Sequence, residues 1–220
     1  KCIEACNKVL ECGEYSMETV RKNVFVTNNE NSKEIIFALP FDETYVTDWN
    51  AFDFHMYSLQ PENQATYNFK ATPWGGACVI PQYIESFDPD DQRLKDDFIS
   101  GPQYDKNGGV LYCTMGNMKG KPLDYVNKVN SIDDSDENQG WRWGKFEYAE
   151  GITNRLSNDF PLLRYADVYL MKAEALLRTG HADEAAELVT KVRERNFTEH
   201  PAKAIVTGEQ LQETSCYDYG

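Results

Sequence analysis

Ile3, Cys6, Val9 and Leu10 recur at helical spacing and Gly13 follows as a natural C-cap, so the pattern predicts an amphipathic helix over residues 1–12. The period breaks over 14–32, where Asn28, Asn29, Glu30, Asn31 and Ser32 form a polar turn cluster. Residues 34–39 read as a short strand stopped by Pro40. From Phe41 to about Gly151 little periodicity survives, and Gly, Pro, Asn and aromatic residues alternate. Within that stretch 81–87 reads as a short helix, and 111–114 and 145–148 as short strands. So long a segment without a regular pattern is unusual in a globular protein and is where function concentrates.

Regular spacing returns after Asn158 and Asp159, either of which can cap a helix running over about 161–179. Its apolar face is Ala166, Tyr169, Leu170, Ala173, Leu176 and Leu177, and Gly180 ends it. A second helix over 182 to about 195 buries Ala182, Ala185, Ala186, Val189 and Val192. The small residues Ala173, Ala175, Ala185 and Ala186 let the two helices approach closely. None of the three helical faces can be buried alone, which predicts an antiparallel pair packed against the first helix. A glycine followed five residues later by an alanine, between two such helices, resembles a tetratricopeptide unit. The fold class expected is mainly α with a loop-rich region and short strands (α+β). At 220 residues the chain is read as one domain, with 1–13 and 159–196 as helical scaffold and 33–151 as a loop-rich binding region.

Charge narrows the partners. Lys and Arg number 22 against 36 Asp and Glu, a net charge of −14, which repels phosphate backbones and anionic lipid, so nucleic acid is not expected as a partner. The apolar run at 35–39 is far short of the roughly 20 residues that span a bilayer. The six cysteines include no CxxC pair and no histidine at zinc-finger spacing, so they read as small hydrophobes, and a Cys78–Cys113 disulfide stays open. The chain opens on Lys1 without an initiator Met and stops in a loop-like string, so both ends read as cuts in a longer protein.

Five strings, in order, carry a family resemblance. They are NENSKEIIFA at 29–38, IESFDPDDQR at 84–93, GWRWGKF at 140–146, NDFPLLRYADVYLMKAEA at 158–175, and Glu184-Ala-Ala followed by VRERN at 192–196. Together they resemble the SusD/RagB family of outer-membrane glycan-binding lipoproteins, in its later half. The resemblance implies tetratricopeptide-type helical hairpins as scaffold beside an irregular ligand-binding region. It also implies non-catalytic binding of oligo- or polysaccharide at the cell surface, delivery to a SusC-like TonB-dependent outer-membrane barrel, and membrane association through a lipid anchor outside this chain. No cofactor is implied.

A sugar offers flat C–H faces and a rim of hydroxyls, so a binder needs solvent-reachable Trp or Tyr with amides or carboxylates nearby. Trp74 fits best, because Pro73 precedes it and Gly75 and Gly76 follow, leaving one side of the ring unshielded. A Trp folded into the core to pin a coil is the structural alternative. Trp49 with Asn50 in a polar loop comes second; level after it stand Trp141 and Trp143, whose rings face one side if 141–143 is a strand and one of which would be core, and Gln82 and Tyr83, close behind the Trp74 loop. Asp133, Asp134, Asp136 and Glu137 could hold calcium but lack the EF-hand glycine and spacing, and a solvated loop is the plainer reading. His55, His181 and His200 are isolated, and no GxSxG, Walker A or GxGxxG string occurs. Two alternatives compete with glycan binding. A glycoside hydrolase would need two carboxylates across one groove, and a tetratricopeptide adaptor would need repeats along the chain.

Overall fold

The computed structural model describes residues 1–46 and 50–215. Two compact units emerge. Of the described residues, the first gathers Lys1–Pro40, Asp90–Gln92 and 159–215; the second gathers Phe41–Pro89 and Arg93–Asn158.

In the first unit α1 (Cys2–Glu11) packs on α6 (Tyr165–Arg178), which pairs with α7 (Ala182–Arg193), as the three apolar faces require. Ala173, Leu176 and Ala185 form the buried centre, with Ile3, Leu177, Leu188 and Val189 against it. The Tyr165 hydroxyl donates to the Leu10 carbonyl at 2.9 Å and fastens α1 to α6. Gly180 takes φ +86° just past α6, a left-handed turn that suits glycine, and the His181 N–H closes back onto the Leu176 carbonyl at 3.0 Å.

The start of α6 differs from the sequence expectation. Residues 160–164 are not helical: β6 (Phe160–Arg164) pairs antiparallel with β1 (Ile35–Leu39), with register shifts along the ladder. The helix begins at Tyr165, capped by Arg164 and Asp167 rather than by Asn158 or Asp159. The Arg164 N–H donates to Asp167 Oδ2 at 2.8 Å. Pro161 and its neighbours could start a helix, but β1 offers them a ladder of hydrogen bonds and wins. Asn29 ties the end of β6 down: its Oδ1 accepts the Asp159 N–H at 2.9 Å and its Nδ2 donates to the Asp159 and Val24 carbonyls.

The second unit is built from short pieces: α2 (Phe54–Ser58), α3 (Gln64–Tyr67), α4 (Pro81–Glu85), α5 (Arg93–Asp96), and two-residue ladders of β2 (Phe98–Ile99) with β5 (Arg142–Trp143) and β3 (Gly101–Pro102) with β4 (Asp124–Tyr125). The strands expected at 111–114 and 145–148 do not form. Tyr112 makes an isolated bridge to Pro122, whose missing N–H cannot extend a ladder, and Phe146 and Tyr148 turn inward from a segment that is not a strand. Phe52 meets Phe146 edge-on at 4.7 Å, and Cys113, Leu123 and Tyr125 form a second buried cluster. Several buried polar groups are paired: the Tyr125 hydroxyl donates to Asn63 Oδ1 at 2.6 Å, and Asn63 Nδ2 reaches Gln103 Oε1 at 3.2 Å. Cys78 and Cys113 carry free thiols, so the bridge left open from the sequence is not made.

Candidate functional site

An exposed aromatic surface of the second unit is organised by one short helix. Only five residues long, α2 turns His55, Met56 and Ser58 inward and leaves Phe54 and Tyr57 outward, three apart on one face. Each carries a tryptophan. The extended segment after Pro73 is hydrogen-bonded along α2, with Trp74 N–H to the Met56 carbonyl at 2.7 Å, Gly75 N–H to Leu59 at 2.9 Å and Ala77 N–H to Tyr57 at 2.8 Å. This places the Trp74 ring edge-to-face with Tyr57, centroids 4.8 Å apart. On the other side, the Trp143 N–H donates to Ser58 Oγ at 2.7 Å, and Trp143 stacks on Phe54 at 5.1 Å with the planes 20° apart. Trp74 is 51% exposed and Trp143 40%, so neither is the core tryptophan that a packing role requires. Four rings thus line the outward face of α2.

A cavity of about 660 Å³ opens beside Trp74, Gly75 and Gly76. Ile80, Met115 and Ile132 add apolar wall, Gln60 and Arg142 lie deeper, and residues 131–137 close another side. Gly75 at φ +74° brings its Cα against Gln60, since a Cβ there would stand 2.7 Å from Gln60 Oε1. Arg142, 2% exposed, organises the depth of the cavity: Nη2 donates to the Glu137 carbonyl at 2.8 Å, Nη1 to Ala77 at 3.3 Å, and Cζ lies 4.7 Å from the Tyr125 ring centre.

The Glu137 carboxylate accepts the Met115 N–H at 2.9 Å and the Thr114 N–H at 3.3 Å, fixing the strip that carries Met115. Burial raises its pKa, and the neighbouring Glu62 carboxyl raises it further. Glu62 in turn accepts the Thr114 hydroxyl at 2.5 Å. These two acids therefore bind one loop together and do not face each other across a groove. Among the described residues no group of three or more His, Cys, Asp and Glu gathers to hold a metal ion. Nor, among them, is any helix long and apolar enough to cross a membrane.

Of the residues singled out from the sequence, the structure brings Trp74 and Gly75 to the cavity and Trp143 to the aromatic row. Trp141 is half-buried near Phe98, with centroids 6.4 Å apart. Tyr83 packs edge-on to Phe87 at 5.2 Å on α4, where Gln82 is exposed, and neither lines the cavity. Asn50 is exposed and also apart from it, and Trp49 lies outside the described residues. Phe54, Tyr57, Gln60, Met115 and Arg142 were not foreseen. A helix of five residues is too short for Phe54 and Tyr57 to show as a pattern in the sequence, and nothing local marks Gln60.

A family model described as the SusD family matches residues 33–208. Among solved structures, the chain is similar to a SusD superfamily protein from Parabacteroides distasonis, with 18% identity over 92% of this chain and 42% of that one, at a TM-score of 0.60. It is similar to NanU from Bacteroides fragilis, with 18% identity over 99% of this chain and 41% of that one, at 0.58. A third is surface glycan-binding protein A from Bacteroides thetaiotaomicron in complex with laminarihexaose, with 16% identity over 92% and 45% of the two chains, at 0.62. The chain therefore spans less than half the length of each of these structures. No curated protein matches it.

Proposed function

Because the chain belongs to the SusD family, we propose that it binds glycans at the bacterial cell surface without catalysing their cleavage and passes them to a SusC-like TonB-dependent outer-membrane transporter. A lipid anchor outside this chain would hold the protein to the outer membrane. The observation that carries the binding reading is Trp74, half exposed, held edge-on by Tyr57 and standing over a cavity large enough for a saccharide. A ring clamped this way loses little freedom when a sugar lies on it, so most of the stacking attraction reaches the affinity. The second tryptophan on the row, Trp143 on Phe54, gives a further platform for a longer chain. The laminarihexaose complex of a neighbour with the same fold agrees with this reading.

The hydrolase alternative finds no support in Glu62 and Glu137. A glycosidase needs its carboxyls about 5–9.5 Å apart across the scissile bond, whereas these two sit side by side on Thr114 and Met115. A glycan array probed with the full-length protein tests the proposal. Binding to a subset of oligo- or polysaccharides, with no release of reducing ends on incubation, is the expected result. Steady release of reducing sugar would replace it with the hydrolase reading, and silence across the array would remove the glycan altogether.

A further inference from the structure

The cavity beside Trp74 is one-sided in charge. Among the described residues its walls carry the carboxylates of Asp133, Asp134, Asp136 and Glu137 against one cationic side chain, Arg142. That guanidinium is 2% exposed and its Nη atoms donate to the Ala77 and Glu137 carbonyls, so it presents little surface to an incoming anion. The amides of the wall point the same way. Gln60 donates its Nε2 to the Glu137 carbonyl at 3.0 Å, which fixes the amide and turns Oε1, an acceptor, toward Gly75 beside Trp74. Gln139 directs its Nε2 to Asp136 Oδ2 at 3.4 Å. Beside donors such as the Asn117 amide and the Trp74 indole, the charged groups that this wall offers a ligand are dominated by carboxylate acceptors.

Acceptors ask for donors. A hydroxyl supplies one; a carboxylate or sulfate does not, and it meets like charge in a recess whose low-dielectric walls strengthen the repulsion. The net charge of −14 adds to the same field at longer range. We propose that this site selects uncharged saccharides and excludes acidic ones bearing uronate, sialate or sulfate groups, an inference that rests on the glycan-binding reading above. Burial of Glu137 does not weaken it, because the three aspartates stand at the exposed or half-exposed rim and carry the charge without it.

The test uses matched pairs, in which a neutral oligosaccharide of glucose, galactose or mannose is titrated beside its C6-oxidised uronate counterpart by calorimetry with the full-length protein. In any pair whose neutral member binds, the uronate should bind at least about tenfold more weakly. The gap should shrink as salt is raised from low to high ionic strength, and the ratio of the two affinities should shrink again when Asp133→Asn, Asp134→Asn and Asp136→Asn are combined. A uronate that binds as tightly as its neutral partner, or more tightly, overturns the charge selection while leaving glycan binding in place. Binding to neither member of any pair overturns the glycan reading itself, and the selection with it.

Discussion

Arg195 and Glu34 meet at two points inside the first unit: Nη2 donates to Oε1 at 2.9 Å and Nη1 to Oε2, with Glu34 fully buried. Arg164 adds a third contact to Oε1 at 3.3 Å, and the Glu18 N–H a fourth, to Oε2 at 2.8 Å. The three charged residues come from the strings at 29–38, 158–175 and 192–196, so these family-like segments converge on one buried ion cluster. Removing Glu34 takes the carboxylate from the buried Arg195 guanidinium, while Arg164 keeps its bridge to Asp167 at 3.1 Å. Glu34→Gln should therefore cost on the order of 3–5 kcal/mol, read by urea unfolding. A loss under about 1 kcal/mol would mean the cluster contributes nothing that an uncharged amide cannot replace.

A second prediction concerns pH. His55 is fully buried, its Nε2 lies 3.2 Å from the Thr153 carbonyl, and Nδ1 has no partner. Burial lowers the pKa to about 4, against about 6.5 in the unfolded chain. Between those values the unfolded chain holds a proton that the folded chain refuses, so stability rises with pH through that window and is lost as pH falls from about 6.5. The full effect is on the order of 3 kcal/mol. Unfolding curves at several pH values between 4 and 7.5, compared with His55→Gln, should show the variant losing this part of the slope. Parallel pH profiles for the two proteins would contradict it.

Gly75 gives the third. Its φ of +74° and the 2.7 Å separation from a Cβ to Gln60 Oε1 both oppose a side chain. Gln60 cannot swing away without releasing the Glu137 carbonyl. Gly75→Ala should lower stability by about 1–2 kcal/mol and weaken glycan binding, because the strip holding Trp74 shifts. Gly13→Ala serves as control: it has a similar φ of +76° with open space around it, so it should show the backbone cost alone with binding unchanged. If both variants bind equally well, the close approach at Gly75 does not shape the site.

How much of this was legible depends on where the information lies. The pairing of α6 and α7 could be read because Ala173, Leu176 and Ala185 repeat at helical spacing, and the period survives any tertiary context. The strand at 160–164 could not, since Pro161 behind Asp159 signals a helix start locally and only β1, over 120 residues earlier in the chain, makes it a strand. In the second unit, order comes from buried polar pairs such as Tyr125 with Asn63, which leave no periodic trace. Trp74 was legible from the Pro and Gly residues beside it. Tyr57 and Phe54 were not, because a helix of five residues is too short to show an amphipathic pattern. Gln60 acquires its role from the Glu137 carbonyl and the missing Cβ of Gly75, which are facts of the fold alone.

The central claim is that Trp74 is a binding platform, and Trp74→Ala tests it in one paired experiment: calorimetry with the tightest glycan from the array, beside a thermal melt. The ring is half exposed and its main ring contact is Tyr57, so the melting temperature should move little. Loss of the stacking face should cost about 1–3 kcal/mol of binding, a fall in affinity of roughly tenfold to hundredfold. Unchanged affinity together with a melting temperature depressed as by loss of a core aromatic, about 3–5 kcal/mol of stability, would contradict the account and return Trp74 to the core.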